Sequence, residues 1–362
     1  MTPASIAFVT PLTLSTLSKN PVLSSFTNED DENDVWNNHV DLGLWADLFI
    51  IAPATANTMS KMATGNSDNF LLATYLSAKC PVYFAPAMDL DMYKHSSTKK
   101  TFEILKSFGN TIIPAGSGEL ASGLVGEGRM AEPEDILSFI EADVLSKLPL
   151  RNKKVLITAG PTYEAIDPVR FIGNHSSGKM GFELANVISS LGAEVVLISG
   201  PTKEVVSNSL VKVLPVVSAE EMYEVVHEYY PTVDIAICAA AVADYKPQNI
   251  ASQKIKKKDT VFSIDLVKTK DILASLGANK KKQFLIGFAL ETNNEIENAI
   301  GKLKRKNLDF IVLNSLQDKG AGFGKSTNKI TIIEKNEKLT SFDLKSKKDV
   351  AIDIVNYLLQ KI

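Results

Sequence analysis

Short, largely apolar strand-like runs recur along this chain. Leu48 to Ile51, Val82 to Ala85 and Thr111 to Ile113 come first, then Val155 to Ile157, Val195 to Ile198, Val211 to Leu214, Asp234 to Cys238, Phe284 to Phe288 and Asp309 to Leu313. The stretches between them repeat their apolar residues at helical spacing, as Met180, Leu184, Val187, Ile188 and Leu191 do. A strand that is apolar on both sides needs cover on both sides, and the alternation with helices supplies it. The pattern therefore predicts α/β architecture built on parallel sheets. Pro53-Ala54, Pro86-Ala87 and Pro114-Ala115 follow the first three runs, placed to end the strands just beyond their ladders.

With 362 residues, 45% of them hydrophobic and 22% charged, the chain can fill two cores. A helix from about Pro133 to Lys147 closes the first, and the linker LPLRNKK puts the boundary near Leu150, giving domains 1–150 and 151–362. The tail from Ser346 to Ile362 reads as an amphipathic closing helix, and the acidic stretch Asn28 to Asn38 as an exposed loop. The opening MTPASIAFVTPLTLSTLS reads as helical turns around Pro11. A net charge of −3 with a pI near 5.9 argues against nucleic acid as a partner. Cys80 and Cys238 lie far apart in apolar contexts without metal-ligand spacing, as buried thiols in a reducing compartment would. There is no secretory pattern at the start and no apolar run long enough to span a bilayer. A cytoplasmic protein without a membrane partner is the expectation.

One loop carries more chemistry than a fold requires. Thr158 to Gly181 runs polar and glycine-bearing from a strand into a helix, where the strand ends and free helical N–H groups of open α/β sheets receive ligands. Gly173 to Lys179, GNHSSGK, has the G-x-x-x-x-G-K spacing of a phosphate loop. Against that reading, Met180 stands where a Ser or Thr hydroxyl would hold magnesium, and Pro168 interrupts the approach. In the plainest alternative, Ser176 or Ser177 merely caps the helix. Yet Asn174, His175, Ser176, Ser177 and Lys179 provide more donors and acceptors than a cap uses. The later GAGFGKS, Gly320 to Ser326, lacks the flanking strand and helix of a phosphate cradle and reads as a surface loop.

RFIGNHSSGKMG, preceded by ITAGPTYEAIDPVR and followed by CAAAVADYKP, resembles the ligase half of the bifunctional phosphopantothenoylcysteine decarboxylase/phosphopantothenate-cysteine ligases of bacterial coenzyme A synthesis. The resemblance extends over nearly the whole chain. It implies a flavodoxin-like, Rossmann-type domain that binds FMN, followed by a Rossmann-like ligase domain that uses CTP and Mg²⁺. The small-molecule substrates would be 4'-phosphopantothenate, cysteine and CTP, and the assembly a homo-oligomer with trimer-based flavin domains and dimeric ligase domains. Family members carry a further strand and glycine-bearing turn at the front that help hold the flavin phosphate. This chain begins without them, as a truncated chain or one with a late start codon would.

In the flavin half, the resemblance gives His39 a role at thiol oxidation, which suits a side chain that titrates near neutrality. By itself it would read as a surface or helix-capping histidine. Pro53, Ala54, Thr55 and Asn57, in APATAN, are implied FMN contacts, although Thr55 or Asn57 could simply cap a helix. Two positions depart from the family. Asp89, in PAMDLDM, replaces the asparagine that grips the substrate carboxylate, and an ionised aspartate would repel that group. Ser122 replaces the cysteine that reprotonates the enethiolate, and a hydroxyl is a much weaker acid than a thiol. Met92, Gly128, Arg129 and Met130 match. An alternative follows, a ligase whose flavin domain serves only assembly; a non-catalytic flavin-binding subunit is a second.

In the ligase half, Asn174 matches the catalytic asparagine that stabilises the acyl-cytidylate, a fitting place for a neutral amide donor. Asp244 lies just past a strand, where it could face nucleotide or Mg²⁺, or else simply make a turn before Pro247. Lys254 opens a run that would otherwise read as a solvated charge cluster and by the resemblance contacts the triphosphate. Lys302 and Lys306 share a helix face and, through the KNLD motif, are implied CTP ligands. Cys238, Ala239, Ala240, Lys270, Asp271, Ile272, Leu273 and Phe288 complete the implied pocket. There the family's Asn-Pro-Asp-Ile has become Thr269-Lys270-Asp271-Ile272.

Overall fold

The computed structural model describes residues 1–27, 36–206, 208–256, 263–315 and 325–362. Most of the acidic stretch after Asn28, Lys257 and Lys258, and most of GAGFGKS lie outside these residues. The chain forms two compact units, Met1–Val144 and Leu145–Ile362.

In the first unit, strands Phe49–Ala54, Val82–Pro86 and Thr111–Ile112 form a parallel sheet in that order. Ile51, Phe84, Leu72, Met59 and Leu105 pack on one side of it, and Tyr83, Ile113, Ile136 and Ile140 on the other. Both faces are covered, as apolar strands demand. Pro53 and Pro86 differ from expectation, since Pro53 lies inside its strand and Pro86 is the last residue of its own, rather than beyond them. Phe49–Ala54 is the edge strand of this sheet and its register breaks between Ile51 and Ala54, so a missing N–H removes no ladder bond there. Thr55 caps the next helix, Ala56–Thr64, its hydroxyl accepting from the Thr58 N–H at 3.3 Å. A hairpin of Gly116–Glu119 and Val125–Arg129 closes down on the segment after Pro86, where the Met88 N–H donates to the Gly128 carbonyl at 2.9 Å. Gly128 has φ +141, and a Cβ there would sit 2.3 Å from the Met88 oxygen. Only glycine permits that approach.

The second unit holds an eight-stranded sheet. Its order is Val211–Pro215, Glu194–Ser199, Lys154–Ala159, Ile235–Cys238, Phe284–Glu291, Phe310–Ser315, Thr327–Glu334 and Leu339–Ser346. The first six are parallel and the last two antiparallel. Those last two are absent from the sequence expectation. Thr327–Glu334 mixes buried and more exposed positions and Leu339–Ser346 has no fully buried residue, so they lack the continuous apolar run that marks the central strands. Two separate apolar clusters cover the two faces, with the helix Lys347–Leu359 closing one of them. The order reverses between Lys154–Ala159 and Ile235–Cys238, which makes the crevice beyond their carboxyl ends the natural ligand site.

The helix Lys179–Ser190 is capped by Gly178, at φ +82, and by neither serine. Ser176 and Ser177 take the Gly178 and Lys179 N–H groups at 3.3 and 3.4 Å within the loop. Gly181 lets this helix settle on its strand, since a Cβ there would lie 2.5 Å from that of Ala159. No helix among the described residues is long and apolar enough to cross a membrane.

Candidate active site at the sheet reversal

Two strands that pair across the reversal present Thr158 opposite Cys238. Past that pair the segment Ala239 to Asp244 keeps a single parallel bridge, Ala241 with Pro161, and side chains and carbonyls of the neighbouring loop hold the rest. The Ala240 N–H donates to Thr158 Oγ1 at 3.2 Å and the Ala243 N–H to Thr162 Oγ1 at 2.9 Å. The Ala241 N–H meets the Gly160 carbonyl at 2.9 Å. From the far side, Thr269 donates its hydroxyl to the Ala243 carbonyl at 2.7 Å and its N–H to the Asp244 carbonyl at 2.9 Å.

The result is a cavity of about 440 Å³. Cys238, Ala240, Asp244, Lys270, Asp271, Ile272, Leu273, Phe288, Lys302 and Lys306 all line it, together with Thr158, Val242, Tyr245, Lys268 and Thr269. Ala239 and Lys254, also expected here, do not. Ala239 is held against the Thr158 carbonyl, and Lys254 is exposed on a separate segment.

The electrostatics are those of an anion site with an acidic corner. Lys302 donates to the Phe288 carbonyl at 2.8 Å. Burial, and next the charge of Lys306, hold its pKa below the ordinary lysine value. Lys306 bonds Asp271 at 2.8 Å. Burial opposes ionisation of Asp271, but the Lys306 ammonium and the Ala274 N–H outweigh it and bring its pKa below the usual carboxylate range. That N–H bond also makes Asp271 the cap of the helix Ile272–Ala278. Burial pushes the Cys238 thiol up to about 12, so it is protonated and unreactive at neutral pH. Among the described residues no group of three or more His, Cys, Asp or Glu is arranged to hold a metal. Asp244, whose carboxylate has no hydrogen-bond or ion-pair partner among the described residues, nonetheless fits an ion that takes one or two carboxylates plus substrate phosphates.

Asn174 follows a two-stranded ribbon, Tyr163–Ala165 with Phe171–Gly173. Its Nδ2 donates to the Ala241 carbonyl at 2.9 Å, beside the cavity-lining Ala240 and Val242. The G-x-x-x-x-G-K stretch thus starts from an antiparallel ribbon and not from a core strand, which removes the strand support of a phosphate loop. Sequence reasoning passed over Asp167. Its buried carboxylate takes the Val169, Arg170 and Ile255 N–H groups at 2.8, 2.9 and 3.1 Å and pairs with Arg170 at 3.1 Å. Arg170 in turn donates to the Ile255 carbonyl at 3.0 Å. These bonds fasten the segment that carries Lys254. An acid-to-arginine spacing of three residues around Pro168 was the available signal.

In the first unit, Asn38 caps the helix His39–Trp45, so His39 is not the cap. The His39 ring meets Phe26 and Phe70 edge-on at 5.8 and 6.5 Å. Its Nδ1 is buried with no hydrogen-bond partner among the described residues. Ala54 is buried, whereas Pro53, Thr55 and Asn57 are exposed at the strand end before a helix N-terminus, an open shelf that suits a phosphate. Asp89 is half-buried at the start of the short helix Leu90–Lys94 and makes no side-chain cap. Met92 is half exposed, and Ser122 lies exposed in the hairpin turn, its hydroxyl 3.5 Å from the Leu124 N–H. A second cavity of about 350 Å³, lined by Arg129, Glu132 and Asp135 among others, touches none of these expected catalytic residues.

Comparison with known proteins adds the family. The model described as "DNA/pantothenate metabolism flavoprotein C-terminal domain" matches residues 150–362, and the "Flavoprotein" model matches 1–145. The coenzyme A biosynthesis bifunctional protein CoaBC of Bacillus subtilis (strain 168) is 44% identical over 98% of this chain and 87% of its own length. The chain belongs to the CoaBC family. A solved C-terminal domain of a CoaBC protein superposes with a TM-score of 0.51 at 41% identity, covering 59% of this chain and 98% of that domain. Another relative is a "Cysteine/Cysteine sulfinic acid decarboxylase" from an unknown prokaryotic organism. It is 56% identical over 97% of this chain and 99% of its own length.

Proposed function

We propose that the second unit joins 4'-phosphopantothenate to cysteine at the expense of CTP, and that the first unit decarboxylates the resulting cysteinyl product with FMN. What most supports the ligase reading is the gathering of Asp244, Asp271, Lys302 and Lys306 in one cavity at the sheet reversal. A triphosphate needs cations, and Lys302 and Lys306 are placed to supply them. The substrate carboxylate attacks the α-phosphorus, pyrophosphate leaves, and the amine of cysteine then displaces CMP from the acyl-cytidylate. Asn174, an uncharged donor beside the cavity, stabilises the oxyanion of that second step. Asp244 would hold Mg²⁺. In the first unit, Pro53, Thr55 and Asn57 would hold FMN, which when bound supplies the hydride acceptor, and His39 would take the thiol proton. Assembly into dimers through the ligase unit and trimers through the flavin unit belongs to the same reading.

Mass analysis after incubating the chain with phosphopantothenate, cysteine, CTP and Mg²⁺ tests both halves. Phosphopantetheine means that both work, and the undecarboxylated amide means the ligase alone. Neither product from a folded chain sinks the reading.

A second reading is favoured by the 56% identical decarboxylase together with Asp89 and Ser122: the first unit decarboxylates free cysteine. Incubation with cysteine alone separates the two, since only this reading gives cysteamine without phosphopantothenate or CTP.

A further inference from the structure

The rim of the nucleotide cavity carries a charge pair that the family motif does not provide for, because Lys270 stands where the motif has proline. Lys270 lines the cavity, yet its ammonium is turned to the Glu220 carboxylate at 2.5 Å and lies 4.7 Å from the centre of the Tyr223 ring. Glu220 comes from the second position of the helix Ala219–Tyr229, outside the cavity lining. Its other oxygen meets Lys246, two residues past Asp244, at 3.4 Å. One carboxylate therefore engages two ammonium groups, Lys270 of the cavity lining and Lys246 just past the lining residue Tyr245. Both partners of the closer pair are accessible, with 55% of the Lys270 side chain and 34% of the Glu220 side chain exposed. A four-carbon stem gives Lys270 the freedom to swing between an outer and an inner partner.

We propose that Glu220 is a competing counter-ion for Lys270, holding its ammonium at the rim until a polyphosphate takes it. The exchange lowers the net gain from the Lys270–phosphate contact, because one ion pair is given up as another forms. Nucleotide and released pyrophosphate are both held less tightly than a free lysine would hold them, and pyrophosphate leaves sooner. Glu220 is thus a tuning residue for product release, acting through Lys270 and touching no substrate itself. The pair's mutual effect on titration agrees: the bond to Lys270 keeps Glu220 below the usual carboxylate range, and the bond to Glu220 raises Lys270.

The inference rests on the reading of this cavity as a nucleotide site, and calorimetry on the full chain separates the two. Pyrophosphate and CTP, each with Mg²⁺, are titrated into the wild type, Glu220→Gln, Lys270→Met and the double variant. Glu220→Gln should bind pyrophosphate about two- to fivefold more tightly, the range of an exposed ion pair. The double variant should bind it no more tightly than Lys270→Met alone, and Glu220→Asp should restore wild-type affinity. Unchanged or weaker pyrophosphate binding by a folded Glu220→Gln overturns the inference while leaving the site intact. Tightening that survives in the double variant also overturns it, since Lys246 would then be the responding cation. A wild type that binds neither ligand overturns the nucleotide site, and the inference with it.

Discussion

Asn174 donates its side-chain amide to the carbonyl of Ala241 at 2.9 Å, across 67 positions of sequence. The bond brings the polar loop before the helix Lys179–Ser190 to the segment that lines the cavity at the sheet reversal. It also holds the amide in one orientation before substrate arrives, so little reorganisation is needed when charge develops.

Asn174→Ala should therefore lower the rate of amide formation by about 10²- to 10³-fold, the cost of one oxyanion donor, with CTP affinity nearly unchanged. Single-turnover kinetics beside calorimetric CTP binding measure the two separately. Equal losses in both would assign Asn174 to nucleotide binding instead.

Lys302 has a depressed pKa through burial and the neighbouring Lys306 charge, and its cationic form is the one that attracts phosphate. CTP affinity should fall as pH rises through that depressed value, ahead of an ordinary lysine. The ligand-free chain should gain stability over the same window up to about 10.5, because there the unfolded chain keeps a proton that the folded one has released. Lys302→Arg should flatten the affinity profile, since arginine stays charged. Titration of CTP binding between neutral and alkaline pH provides the measurement.

Asp167 is expected to control Lys254 from a distance. Asp167→Ala removes the acceptor of the Val169, Arg170 and Ile255 N–H groups, which should raise the KM for CTP more than it lowers kcat. Those bonds hold the Asp167 pKa below the usual carboxylate range even though burial opposes it. The anchor is thus complete above that range and is lost only as pH falls through the depressed value. Limited proteolysis near Lys254, faster in the variant, reports the same loosening.

Cys238 should resist alkylation at pH 8, because burial pushes its thiol up to about 12. Cys238→Ala should leave ligase turnover within about twofold, since a protonated, half-buried thiol behaves as a small apolar side chain. Rapid labelling of Cys238 by iodoacetamide in the folded chain, followed by mass spectrometry, would contradict the first expectation.

Ser122→Cys restores a thiol at the hairpin turn between Gly116–Glu119 and Val125–Arg129. If phosphopantothenoylcysteine is the substrate, formation of phosphopantetheine should rise by about 10²-fold, the ordinary worth of a well-matched proton donor. An unchanged rate would place the proton source elsewhere.

The parallel sheets were legible because their strands are apolar on both faces, and runs such as Val195 to Ile198 have few other homes. The edge strands Thr327–Glu334 and Leu339–Ser346 were not, since strands that interrupt their apolar residues with Thr, Ser, Asn, Asp and Lys carry a weaker mark. Pro53 misled for a related reason: a proline reads as a strand end unless the strand is known to lie at an edge. Ser176 and Ser177 have the chemistry of helix caps, but a left-handed Gly178 takes that position. Asp167 was hidden because its value lies in three backbone N–H groups, one of them far along the chain.

The sequence by itself determined the α/β class, the two-part organisation and the motifs that mark the family, all of which are local in residue type and spacing. Tertiary structure decided which of those residues share a cavity. Lys302 and Lys306, at the end of one helix, meet Cys238 at a strand end and Asp244 in the loop beyond it because the strands Ile235–Cys238 and Phe284–Glu291 pair side by side and that helix follows the second. It also decided what each charge faces. Glu220 lies 50 positions from Lys270, and no spacing rule foretells their pairing, because it depends on where a separate helix is packed against the sheet.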